Sequence, residues 1–413
     1  MIKSVIIRLI RIICVPVAII MTLSACNDDI PALSLGLEEQ YYLPRMKATR
    51  FMPAYTGEEY RWLMILPDGR DSLLSTEQYY TFIQKDEGTY NLRFEIIDKE
   101  FFSHDFKVTV LHEQVEYSPY IAHVLEYRPA PGQFVNEMPI YEAGDTAESM
   151  RKKTEDCISG KGNAMISLGG YGGYVTFAFD HTVMNVKGEK DFLVEGNAFY
   201  ALTDPDTKGG SCEPGIVMVA FDKNLNGIPD EDEWYELAGS EYYKPETIKH
   251  YEIRYSRPNP GKAPVPDESG VLSDLTYIPW TDNQGETGYV VKNIYHRQNY
   301  YPQWLDEDEL IFSGTKLRDN AVDVSGNGSY WVLYAFDWGY VDNHPAANAD
   351  LNSFDIGWAV DKDGNPVYLP GVDFIRVYTG QNQTCGWIGE TSTEIAKAID
   401  LHTSPQPPPK EGE

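Results

Sequence analysis

Gly215–Leu237 reads GIVMVAFDKNLNGIPDEDEWYEL: an apolar run, an acidic loop and a short return run with no break between them. Gly215 to Phe221 has the β-branched, apolar pattern of a buried strand rather than an amphipathic helix. Trp234-Tyr-Glu-Leu237 leads out as a return strand, so the loop reads as a hairpin connection with its polar groups on one rim of a sheet. The loop itself, Asp222 to Glu233, matches the calcium pattern D-x-[DN]-x-[DN]-G-x5-E position for position. Asp222, Asn224 and Asn226 would supply oxygens at positions one, three and five, and Ile228 its carbonyl at seven. Asp230 would act at nine and Glu233 would close the shell at twelve, while Gly227 stands where the backbone turns sharply. Oxygen donors without His or Cys suit Ca²⁺ rather than zinc or copper. The alternative is an acidic surface turn, built from the same residue types. With no helix before the loop, a structural calcium site in a β-protein is expected, not a sensor that opens.

Upstream, Ile166–Asp180 (ISLGGYGGYVTFAFD) places a glycine-rich turn before an alternating strand, and Asp191–Phe199 reads as another strand. The glycines do not fit G-x-G-x-x-G entering a helix, which excludes a nucleotide loop here. One helical piece is expected, Thr146 to Ile158, with Asp145 as its N-cap. Residues 36–112 form a separate run of short alternating segments: Tyr60-Arg-Trp-Leu63, the turn Pro67-Asp-Gly69, Gly88-Thr-Tyr-Asn-Leu92 and Phe106–Val110. That spacing predicts a β-sandwich with Trp62 in its core. Tyr-x-Trp followed by Gly-Thr-Tyr-Asn-Leu resembles PKD-like immunoglobulin domains, and no catalytic residue comes with that resemblance. The fold class expected is therefore all-β, an N-terminal Ig/PKD-like sandwich followed by a larger jelly-roll-like β-sandwich over residues 118–402. Residues 403–413, with Pro-Gln-Pro-Pro-Pro, read as a disordered tail.

At the N-terminus, Lys3, Arg8 and Arg11 precede the apolar run Ile12–Leu23 and then Leu23-Ser-Ala-Cys26, so residues 1–25 read as a targeting segment. The tetrapeptide resembles the lipobox of bacterial lipoproteins, which implies lipidation at Cys26; an ordinary secretory signal is the alternative. Residues 26–35 then form a lipidated tether. Asn27, Asp28 and Asp29 resemble the export signal that sends lipoproteins of Bacteroidota to the outer face of the outer membrane, the periplasmic face being the other destination. A formal net charge of −29 repels nucleic acid and leaves no basis for such a partner. Of five cysteines, Cys157, Cys212 and Cys385 remain after Cys14 and Cys26 are set aside. One disulfide at most is then available, with Cys212 and Cys385 the expected pair.

The stretches LGGYGGYVTFAFD, DFLVEGNAF, NGIPDEDEWYELAGSEY and CGWIGETSTEI resemble a group of cell-surface lipoproteins of Bacteroidota. That resemblance implies association with outer-membrane nutrient uptake, including corrinoid uptake, and a TonB-dependent transporter as partner. Ile278–Asp282 and Tyr295–Trp304 set aromatic rings beside amides and Arg, the mixture that sugar sites use. Trp280, Tyr300, Tyr301 and Trp304 are the expected exposed ligand contacts, with core packing as the alternative for each. Asp337, Asp342 and Asn343 could cap a ligand or a second cation, with a satisfied turn as the alternative. Asp361–Pro366 lacks a distal carboxylate and reads as a hairpin turn. No G-x-S-x-G, H-E-x-x-H or Cys–His arrangement is present, and the eight histidines are scattered. The expected function is non-catalytic binding of a glycan or small nutrient in support of uptake. A glycan hydrolase whose carboxylate pair is hidden among 63 acidic residues, and a purely adhesive protein, remain as alternatives.

Overall fold

The computed structural model describes residues 35–201 and 207–403. The signal segment, Cys26, all of the tether but Leu35, and the tail from Ser404 lie outside the described residues.

The first sheet has five strands in the order Gln40–Pro44, Phe101–Leu111, Gly88–Ile97, Glu59–Ile65, Asp71–Ser75. Gln40–Pro44 runs parallel to Phe101–Leu111 and the other pairings are antiparallel. A two-stranded sheet, Thr49–Phe51 with Tyr80–Phe82, packs on its face. Alternation along Phe101–Leu111 sends Phe106, Val108 and Val110 inward, where they meet Trp62, Phe94 and Phe51. Trp62 is fully buried and its indole N–H donates to the Glu77 carbonyl at 3.0 Å, so its one polar atom is satisfied.

The larger body is built on a six-stranded antiparallel sheet in the order Ala359–Val360, Trp234–Leu237, Gly215–Ala220, Gly371–Thr379, Tyr174–Met184, His123–Arg128. Gly215–Ala220 lies inside that sheet, which is why its sequence is apolar without alternation. A four-stranded sheet of Thr287–Asn293, Leu272–Asp282, Ile248–Ser256 and Glu309–Lys316 covers one face. The two sheets meet at Tyr378, whose hydroxyl accepts the Thr315 N–H at 2.9 Å across the interface. The molecule is thus an all-β assembly of sandwiched sheets. In the glycine-rich turn, a Cβ at Gly173 would stand 1.9 Å from the Leu168 carbonyl oxygen, so this glycine serves close packing. The stretch Asp191–Phe199 is two short strands, Phe192–Glu195 and Phe199–Tyr200, in different sheets.

Two local expectations need correction. The helix is Ala147–Ile158 with Thr146, not Asp145, as its N-cap; Thr146 and Ser149 exchange side-chain to backbone hydrogen bonds in a capping box. Asp145 instead accepts from the Ser149 hydroxyl at 2.8 Å. The three described cysteines are free, so no Cys212–Cys385 bridge forms. Both thiols are buried, which pushes each up to about 12 and keeps it protonated, and Cys385 Sγ lies 3.9 Å from Thr391 Oγ1.

The two bodies touch at a small apolar cluster, Met46 and Ile83 of the first with Met184 of the second. Beside it the Thr81 hydroxyl donates to the Lys223 carbonyl at 3.3 Å, and Arg50 Nη1 reaches the Asn224 carbonyl at 3.4 Å. The acidic loop therefore forms part of the junction.

Candidate functional site

The loop Asp222–Glu233 is the expected hairpin connection, with Ala220 opposite Trp234 and Val219 opposite Tyr235. Its backbone is shaped by its own side chains. The Asp222 carboxylate accepts the N–H groups of Asn226 (3.0 Å) and Gly227 (2.7 Å), and Gly227 sits at φ +77°. Asn224 Oδ1 accepts from Asn226 N at 2.9 Å and Asn226 Oδ1 from Ile228 N at 2.7 Å. Glu233, 2% exposed, ties the two ends by accepting from Lys223 N (2.8 Å) and Asp230 N (3.2 Å). Asp230 Oδ2 takes the side-chain amides of Asn224 (2.6 Å) and Asn226 (2.9 Å). Burial raises the Glu233 carboxyl above its ordinary value against its two backbone donors, and the charges of Asp222 and Asp230 push the same way. An oxygen-only donor set under mutual repulsion fits Ca²⁺. Asp222, Asn224, Asn226, Asp230, Glu233 and the Ile228 carbonyl are the groups that would hold it, and it would supply charge neutralisation where two amide N–H groups now act.

Three of the four expected aromatic contacts are buried out of a ligand's reach. Tyr300 and Tyr301 are 0% exposed and Trp304 is 7% exposed. Trp304 stacks between Tyr127 (5.8 Å, 20°) and Tyr141 (6.2 Å, 28°). Tyr301 donates to the Glu307 carbonyl at 2.8 Å and lies under the Arg257 guanidinium. The reason is the Asn136 amide, which binds the carbonyls of Asn299 (2.6 Å) and Tyr301 (3.0 Å) and draws this proline-containing loop into the core. Trp280 is half-buried, with its ring edge over Gly288 in the neighbouring strand. Tyr300, Tyr301 and Trp304 are core packing, and Trp280 packs against the neighbouring strand.

A different group of rings is open. A cavity of about 500 Å³ is lined by Phe134, Phe199, Tyr295, Tyr330, Trp331 and Trp387. Phe199 (58%), Tyr295 (61%) and Trp387 (41%) keep much of their surface in solvent. Tyr295 and Trp387 meet edge to face at 6.1 Å, so their faces form two walls at an angle. The side-chain amides of Gln133, Asn197 and Asn293, the His296 imidazole and Ile388 also line it. Asn293 Nδ2 donates to Gln133 Oε1 at 2.9 Å and Gln133 Nε2 to the Ile388 carbonyl at 2.7 Å, which holds the polar wall rigid.

Glu213 and Glu394 also line this cavity, and Asp342 lies behind them. Among the described residues these three form the one group of carboxylates whose oxygens lie within 4.8 Å of one another. Asp342 is fully buried and satisfied: Oδ1 accepts Asn197 N and Ala198 N at 2.7 Å each, and Oδ2 accepts Glu394 N at 3.0 Å. Asn343 binds both backbone groups of Phe336, so this segment is the satisfied turn. Glu213 accepts from Ser392 N (3.1 Å) and the Ser211 hydroxyl (3.2 Å), and Glu394 from the Ser392 hydroxyl (2.7 Å). Burial first, then the Asp342 charge, pushes Glu213 up to about 8; burial raises Asp342 to about 7 against its backbone donors. Glu394 is raised by burial and by both neighbours. No Lys or Arg is among the described lining residues.

Sequence reasoning missed this cavity because its parts come from six separate stretches of the chain. Two signals were present: Tyr295 and His296 open the aromatic stretch already singled out, and CGWIGETSTEI carries Trp387 and Glu394. Glu213 and the loop stand at opposite ends of Gly215–Ala220, roughly 20–30 Å apart at about 3.3 Å per residue.

No family model and no curated protein matches the chain. Among solved structures, a SusE-like protein aligns at 9% identity and TM-score 0.22, covering 90% of this chain and 99% of that one. A structure titled for carbohydrate-binding modules of the β-sandwich superfamily aligns at 11% identity and TM-score 0.14, covering 88% and 93%. Likeness at that level carries no weight, and the β-sandwich assignment stands on the strand pairings themselves.

Proposed function

We propose that this protein binds a glycan without cleaving it, in the cavity walled by Tyr295, Trp387, Phe199 and Trp331, as a lipid-anchored protein of the outer cell surface. The observation that carries this is the exposure of large flat rings around a rigid row of amides. Rings cover the apolar faces of a sugar and amides take its hydroxyls. Titration calorimetry with neutral, amino and acidic oligosaccharides tests it, with a corrinoid as the comparison ligand that the sequence resemblance implies. Saturable glycan binding weakened in Trp387→Ala supports the reading; no binding by any glycan overturns it. Lipid on Cys26, calcium in the loop and hand-over to a TonB-dependent transporter belong to the same proposal. They are checked by mass spectrometry of the mature N-terminus, by calcium titration and by co-purification.

The carboxylates favour one second reading, a hydrolase, since Glu213 and Glu394 face an aromatic cleft at short separation. Against it, a catalytic pair needs environments that push its two acids apart, one ionised and one protonated. Here both are pushed upward, and no described cation lines the cavity to hold one ionised. Release of reducing ends from any oligosaccharide, abolished in Glu394→Gln, would decide for the enzyme.

A further inference from the structure

The cavity has an unusual charge balance. Its floor presents Glu213 and Glu394 backed by Asp342, and a fourth carboxyl, Glu390, is buried behind the wall at Gln133, whose N–H it takes. The other oxygen of Glu390 is buried without a hydrogen-bond partner. The charge of Glu390 reaches the cluster and pushes Glu213 in the same direction as burial and Asp342 do. The hydroxyl and backbone donors around Glu213 and Glu394 are neutral. Acid oxygens grouped this way, under a rim of π faces and with no described cation in the lining, favour an incoming positive charge.

The donor count decides which kind of cation. Asp342 is held by three backbone N–H groups and does not line the cavity, so the carboxyls that face a ligand are Glu213, with one backbone and one hydroxyl donor, and Glu394, with the Ser392 hydroxyl. Two carboxylates are few for Ca²⁺, which takes six to eight oxygens. They suit an ammonium group, which has three N–H donors and whose entry would draw the raised Glu213 and Glu394 carboxyls into their ionised form. The rings above then cover the body that carries the amine.

We propose that the cavity selects sugars bearing a free amine, with the ammonium seated between Glu213 and Glu394 and the sugar ring against Trp387 and Tyr295. This rests on the glycan-binding reading and narrows it to basic amino sugars. It predicts that acetylation of the amine removes the advantage, because the charge and the donors go together, and that uronic acids are rejected.

The test is calorimetry on the full chain at neutral pH with β-1,4 glucosamine oligomers, their N-acetylated counterparts, glucose oligomers and a uronate oligomer. Glucosamine oligomers are expected to bind at least tenfold more tightly than the N-acetylated and glucose forms, with the uronate weakest. Glu213→Gln and, separately, Glu394→Gln should collapse that difference, each variant first shown to be folded by its melting curve. Equal or tighter binding of the acetylated or glucose oligomers overturns the amine preference but leaves glycan binding standing. A preference that survives in both variants overturns it as well, as does Ca²⁺ or Mn²⁺ alone binding in a manner lost with Glu213→Gln. If no oligomer binds, both the inference and the function beneath it fail.

Discussion

Trp387 and Trp304 show how little a residue type says without its surroundings. The first is 41% exposed on the cavity wall, the second 7% exposed between two tyrosine rings. Trp387→Ala should therefore weaken glycan binding by about tenfold, near the upper end of what one aromatic contact contributes, and leave the melting temperature close to that of the parent. Trp304→Ala should do the reverse, costing about 3–5 kcal/mol of stability by opening a core cavity; paired calorimetry and denaturant titration distinguish them. The raised carboxyls make a second prediction at this scale. Glu213 at about 8 and Asp342 at about 7 hold protons in the folded state that the unfolded chain has already released. Their contribution is thus fully present below the ordinary carboxylate range and is lost as pH rises through 7 to 8. Melting temperature should fall by several degrees between pH 5 and pH 8.5, and Glu213→Gln should flatten that slope. The sequence displayed both tryptophans equally, and only the loop drawn inward by Asn136 separates their roles.

Among elements, the hairpin Gly215–Leu237 was the most legible, because an uninterrupted apolar run, a loop with six constrained positions and a return strand leave one arrangement open. What the sequence could not reveal is that Thr81 and Arg50 of the first sandwich hold the loop's carbonyls. Contacts between bodies leave no periodic trace along a chain. If Ca²⁺ binds with the 10⁻⁴ to 10⁻³ M affinity usual for extracellular modules, millimolar ion adds roughly 0.4–1.4 kcal/mol. Differential scanning fluorimetry should show a rise of a few degrees on adding calcium, reversed by chelator and blunted in Glu233→Gln. An unchanged melting curve across that titration would remove the metal from the account. The helix cap illustrates the smaller errors of such reading. Asp145 and Thr146 are both good N-caps, and the choice fell to Thr146 because Ser149 lies three residues on and returns the bond.

For the whole molecule, the sheets could be expected from turn spacing and alternation, while the cavity could not. Glu213, Asp342 and Glu394 come together only after the large sandwich closes, and no local pattern ties one to another. The junction between the bodies includes an apolar cluster of three buried residues and two hydrogen bonds to the loop. Chelation should therefore expose residues 112–118 to limited proteolysis sooner than it unfolds either sandwich, and Arg50→Ala should act in the same direction. The strand Gly215–Ala220 carries the acidic hairpin at one tip and the carboxylate floor at the other, and the first sandwich meets the larger body at Met184 and the hairpin. Under the proposed anchoring at Cys26, the cavity would stand at the end of this strand remote from the loop that touches the first sandwich. A polymer arriving from outside would meet the open rings before anything else, and lengthening the stalk would change how far the protein reaches without changing how tightly it holds.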